Sequence, residues 1–202
     1  MQGPEEKNHR MSRGLKAVLA VVGVLVVVVL MVFGSYVSAR NQMVAKDQQV
    51  KTAWSEVDIQ MQRRADLIPN LVATVKGFTK EESGVYDEIA RARDGLMNAP
   101  TPQAKMAANG QLDGALTKFL VLTENYPKLR SSEQFMRLQD ELAGTENRIA
   151  VARRRYNDAL RNYNTFILQF PNNIWANMAG FHPNNARFEA SQSAQSVPTV
   201  KF

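Results

Sequence analysis

"MVAKDQQVKTAWSEVDIQMQRRADLIPNLVATVKGF", residues 43 to 78, decides how this chain folds. Apolar side chains recur in it by alternating steps of four and three: Met43, Val50, Trp54, Val57, Met61, Ile68, Leu71, Val75 and Phe78, with Asp47 and Arg64 in the same phase. The phase runs on through Glu82, Val85, Ile89 and Ala92, so that twelve of fifteen stripe positions are apolar. A sustained repeat of about 3.5 residues marks a helix packed in a bundle or coiled coil, and no period-two strand pattern competes with it. The expectation is one long first helix reaching Ala92.

Pro69 interrupts that pattern without shifting it. Proline has no N–H, and its ring crowds the carbonyl four residues earlier, that of Ala65. A loop at this point would lose the register. A kinked helix that continues, or a short restart with Pro69 in its first turn, would keep it. The unbroken phase favours the kink, with a bend that could divide the helix in two.

Towards the N-terminus, Ala17 to Ala39 passes without a charge and is dominated by valine and leucine. At about 1.5 Å per residue such a helix is roughly 35 Å long, enough to cross a hydrocarbon core of about 30 Å. Lipid offers no partner for backbone groups, so a single span must be helical. Val37-Ser38-Ala39 would suit a signal peptidase, but the apolar run exceeds the roughly 7–15 residues of a signal peptide, which favours an uncleaved anchor. Lys7, Arg10, Arg13 and Lys16 precede the span, and Arg40, Lys46 and Lys51 follow it. That balance leans towards a cytoplasmic N-terminus and an extracytoplasmic body, with the cytoplasmic side as the alternative. Gly34 and Ser38 form a small-x-x-x-small pair that would permit self-association, so a homo-oligomer is open.

Towards the C-terminus, Asn98-Ala99-Pro100-Thr101-Pro102 reads as a turn. A second helix is expected over about 103 to 126, with Leu112, Leu116, Phe119 and Tyr126 on one stripe and Gly110 and Gly114 weakening its first half. Ser131-Ser132 before Glu133 offers a cap for a last long helix. Its stripe is Phe135, Leu138, Leu142, Thr145, Ile149, Ala152, Tyr156, Ala159, Tyr163 and Phe166, ending near Phe170-Pro171. Residues 172 to 180 can add a short helix whose Ile174 and Trp175 cover the bundle end. The organisation is therefore a basic tail (1–16), a transmembrane helix (17–39), a helical bundle (40–180) and a mostly irregular tail (181–202). The fold class is all-α, an antiparallel bundle of three to four long helices on one N-terminal span.

The residues that usually carry chemistry are missing. There is no cysteine, and His9 and His182 are the only histidines, both outside the expected packed core. No P-loop, G-x-G-x-x-G or H-E-x-x-H motif occurs. We therefore read the chain as non-enzymatic, without metal or cofactor. The net charge of +6 is spread in mixed sign, and Arg153-Arg154-Arg155 reads as a solvated or membrane-attracted face rather than a nucleic-acid site.

Arg64 and Glu82 fall where side chains should face other helices. Burying an unpaired charge costs several kcal/mol, so a partner is required; Glu124 and Glu146 are candidates for Arg64. Register-fixing ion pairs are the simpler reading. The sharper one is a polar pocket built from Arg63, Arg64, Asp66, Pro69 and Asn70. Asp47, close to the membrane, should be exposed. Tyr156-Asn157 returns seven residues later as Tyr163-Asn164, which puts both tyrosines on the core stripe and both asparagines beside it. Core packing outweighs a ligand site there, and such asparagines can fix helix register. The end of the tail, Val197 to Phe202, could dock on the bundle or a partner, though an irregular terminus is the simpler reading.

The stretches "AWSEVDIQMQRRADLIPNLVATVKGF", "ARARDGL", "LTENYPKLRSSEQFMRLQDELAGTENRIAVARRRYNDALRNYNTFILQFP" and "RFEASQSAQSVPTVKF", in this order, resemble the LemA family of bacterial membrane proteins. One departure lies in "FTKEES", where Glu81 stands in place of a histidine common in the family, before Glu82. The resemblance implies a helical bundle on a single anchor in the bacterial inner membrane, and no established catalysis. A branch of the family contributes to magnetosome formation, and nothing in this chain assigns it there. The expected role is a scaffold or regulator of envelope proteins; the alternatives are a sensor of a ligand or anionic lipid, and an accessory factor of a membrane protease.

Overall fold

The structure, a computed structural model, describes residues 13–78 and 83–189. Its elements are α1 (Arg13–Lys76), α2 (Ser83–Met97), α3 (Pro102–Thr123), α4 (Pro127–Arg130), α5 (Glu133–Leu168) and α6 (Asn172–Ala179), with no strand among the described residues.

The apolar segment and the first bundle helix are one element. α1 is 64 residues long, roughly 96 Å at 1.5 Å per residue, and no glycine or proline interrupts it between Ala39 and Ile68. Its N-terminal part is long and apolar enough to cross a membrane and projects fully exposed from the rest of the chain. Burial begins at Ala39 and Met43 and follows the stripe through Val50, Val57, Met61, Arg64, Ile68, Leu71 and Val75. Trp54 is half-buried in the same phase.

α5 lies antiparallel along α1. The register is fixed by Trp54 against Tyr156, ring centroids 5.4 Å apart, and by Arg64 against Glu146. α2 and α3 form a second antiparallel pair, with Tyr86 packed edge-on against Phe119 at 6.2 Å. Thr101 caps α3 by accepting the Ala104 N–H at 3.1 Å, whereas Ser132, at the expected N-cap of α5, makes no side-chain cap bond. α6 turns back onto α1 and α5 as expected, packing through Trp175 and Ala176, whereas Ile174, expected to cover the bundle end, is exposed; the helix stops at Gly180, whose φ of 75° lies in the left-handed region.

Pro69 lies inside α1, which continues through it, so the helix is not divided there. The division comes later: α1 ends at Lys76 and Gly77–Phe78 turn away from it. Phe78 is exposed rather than core, and the expected continuation to Ala92 belongs to a separate helix running back along α1. In α2 the buried positions are Tyr86, Ile89 and Leu96, so its stripe is rotated from the one extrapolated through Val85 and Ala92. Gly77 is a poor helix residue, and the following Thr79-Lys80-Glu81-Glu82 has no apolar side chain to hold a helix against the bundle. Residues 79–82, and with them the stripe position of Glu82 and the "FTKEES" departure, lie outside the described residues; so do 1–12, including His9, and 190–202.

α5 shows a smaller drift. Phe135, Leu142, Thr145, Ile149, Ala152, Tyr156 and Tyr163 are buried as the stripe requires. Near the C-terminal end Leu160 and Ile167 are buried, while their neighbours Ala159 and Phe166 are half-buried. A helix of 3.6 residues per turn walks away from a strict 3.5 repeat by about 20° per heptad, enough to move the seam to the next residue over 36 positions.

Candidate interaction site: a buried arginine and a clasped segment

Three helices meet at Arg64. Its side chain is 9% exposed and ion-pairs with Asp113 of α3 and, at 2.7 Å, with Glu146 Oε2 of α5. Asn109 Nδ2 donates to Asp113 Oδ2 at 3.0 Å, and Arg153 approaches the same carboxylate at 3.9 Å. One of the two expected partners, Glu146, is therefore present. Glu124 is not: it sits exposed at the C-cap of α3, and Asp113, three turns earlier, takes its place. Arg64 Nε, Asn109 Oδ1 and Arg153 Nε are buried without a partner among the described residues. A groove of about 620 Å³, bordered by Met106, Gly110, Asp113, Arg153 and Phe188, opens this polar cluster to solvent.

The remaining residues of the expected polar pocket do not converge. Arg63 is exposed and reaches Glu141 at 3.3 Å; Asp66 is exposed and accepts from Gln62 at 3.3 Å. Asn70 lines a different groove, of about 770 Å³, with Glu133, Arg137 and Glu141. Pro69 acts at a distance. The Ala65 carbonyl, which it deprives of an N–H, accepts from Arg93 Nε of α2 at 3.1 Å. Sequence reasoning identified the orphaned acceptor but not its donor; an arginine near the end of a following helix was the available signal.

The repeated Tyr-Asn pair has a clear structural role. Both tyrosines are core residues, and both asparagines grip the irregular segment 181–189. Asn157 Nδ2 donates to the Phe188 carbonyl at 2.9 Å, while its Oδ1 accepts the Phe188 N–H at 3.0 Å. Asn164 does the same with Asn184, at 2.7 and 2.9 Å. The Tyr163 hydroxyl donates to the His182 carbonyl at 3.1 Å. Phe188 closes an aromatic cluster, 6.1 Å from Trp54 and 5.8 Å from Tyr156, with the Arg153 guanidinium 5.1 Å above its ring. The start of the tail is thus irregular but held. Of the Arg153–Arg155 run, Arg153 covers Phe188, Arg155 pairs with Glu56 at 3.3 Å, and Arg154 is exposed.

Burial pushes the Tyr156 hydroxyl above its ordinary pKa of 10.0. Tyr163 is raised by burial first and by the negative charge of Asp47 second. Asp47, expected to be exposed, is half-buried, packed near Tyr163 and paired with Lys51 at 2.8 Å. Among the described residues no group of three or more His, Asp or Glu side chains is arranged to hold a metal ion.

Residues 53–202 match the model of the LemA family. The chain is similar to the magnetosome protein MamQ 2 of Paramagnetospirillum magneticum, 24% identical with 97% of this chain and 80% of the relative covered. MamQ of Magnetospirillum gryphiswaldense is 22% identical over 88% of this chain and 74% of the relative. Protein LemA of Metamycoplasma hominis is 23% identical over 78% of this chain and 72% of the relative. With one N-terminal apolar helix and a family match over residues 53–202, the chain is a single-pass membrane protein that belongs to the LemA family.

Proposed function

We propose that this protein is a non-enzymatic scaffold or regulator, presenting its bundle to other proteins of the bacterial envelope from the inner membrane, on the extracytoplasmic side. The observation that carries this reading is the continuity of α1, which joins the span to the bundle without a hinge and holds the bundle faces at fixed heights above the lipid. Along the α1–α5 seam, Ile59 and Val151 are exposed and line a groove of about 450 Å³ with Glu56, Gln60, Asn147 and Arg155. An apolar centre with a polar rim is the usual form of a protein contact. The alternative of a sensor of a ligand or anionic lipid has less support, because Arg63 and Arg64 are already engaged by carboxylates.

The test is photocrosslinking in native membranes from residues 59 and 151. The expected result is a reproducible adduct with another protein from both positions, the one from 151 being lost when Ile59→Glu is added. Recovery of the uncrosslinked monomer from both positions would count against the proposal, and a product of twice the chain mass would replace it with self-association.

A further inference from the structure

We propose that the end of α5 and helix α6 make a second contact with the bilayer, seating Phe170, Ile174 and Met178 at the boundary between headgroups and acyl chains beside the span. Residues 162 to 186 contain no Lys, Arg, Asp or Glu, a charge-free run as long as that of the anchor. Much of this run is exposed. Leu168 is 60% accessible, Phe170 80%, Ile174 46% and Met178 69%. Ile174 and Met178 are one turn apart on α6, on the side opposite Ala176, which is buried against the bundle.

The height of this patch is set by α1. Trp175 packs edge-on against Tyr36, ring centroids 5.7 Å apart. Tyr36 lies four residues before Arg40, the first charge after the span, and therefore about 6 Å inside it along the helix axis. Helices that lie in the membrane interface bury their apolar face about 5–10 Å deep, and tryptophan and tyrosine concentrate at that level. Two charge-free stretches, distant in sequence, thus meet where lipid begins. Because α6 carries no charge, apolar burial drives the contact and anionic lipid is not required.

The chain has no cysteine, so single nitroxide labels can be placed at will. The full chain would be reconstituted in phosphatidylcholine vesicles with a label at Phe170→Cys or Met178→Cys, with Leu30→Cys in the span and Val121→Cys, an exposed position of α3, as references. Collision with oxygen reports lipid, and collision with a water-soluble nickel chelate reports solvent. The expected result is that 170 and 178 favour oxygen, as 30 does, while 121 favours nickel. Two results would overturn the proposal: 170 and 178 behaving like 121, or exclusion of both reagents with dipolar broadening between labels, which would place a second copy over the patch.

Discussion

At Arg64 a charge is buried because three helices supply what it needs. Its carboxylate partners are only partly buried, with Asp113 36% and Glu146 43% exposed, so water softens the loss when the pair is broken. Arg64→Glu is expected to cost about 3 kcal/mol in denaturant unfolding of the detergent-solubilised chain, the cost of placing a third carboxylate among two. Adding Glu146→Arg should recover part of that, whereas Glu124→Arg should recover none; equal rescue by both would show that the internal pair is not the source. Pro69 presents the complementary case of a missing donor. Arg93→Ala leaves the Ala65 carbonyl without its partner and is expected to destabilise by about 1–2 kcal/mol. In Pro69→Ala the helix regains its own N–H, so the same Arg93 change should cost measurably less, a coupling that a double-mutant cycle reads directly. Tyr156 and Tyr163 add a pH dependence on the alkaline side. Their folded pKa values lie above 10.0, so the neutral hydroxyls favour the folded state at and below that value. Stability falls as pH rises from about 10 through the raised folded values, and Tyr163→Phe should flatten part of that fall in thermal melts.

Among the elements, α5 was the most legible in the sequence and α2 the least. The stripe of α5 named nearly every buried position, because a strict apolar period has few structural solutions. The stripe of α1 did the same up to Val75, and then failed for a physical reason. Periodicity records phase but not direction, so a helix that stops at Lys76 and returns as α2 can mimic one that continues. Asp113 was missed because partner choice depends on how α3 packs, and α3 carries two glycines and a weak stripe. The tyrosines of α5 were read correctly as core, but the asparagines beside them were assigned to helix register, and their actual partner is the irregular segment that follows α6. Asn157→Ala and Asn164→Ala each remove a reciprocal pair of hydrogen bonds, an expected loss of about 1–2 kcal/mol. Hydrogen exchange should resolve them, with the Phe188 amide losing protection in the first and the Asn184 amide in the second.

For the whole molecule, the governing dimension is the length of α1 beyond the lipid. From Arg40 to Lys76 the helix rises roughly 55 Å, so a donor fluorophore at Lys76→Cys should transfer little energy to headgroup-labelled lipid, while one at Val44→Cys should transfer strongly. Comparable transfer from both would mean that the bundle lies down on the membrane. An unhinged rod rooted in a fluid sheet is also a lever. Transmembrane helices lean further when the bilayer is thinner than their apolar length. A change in lean of about 10° would sweep the Lys76 end sideways by roughly 10 Å, while Arg40 scarcely moves. On this geometry a change in bilayer thickness would be read out as the lateral position of the Lys76 turn.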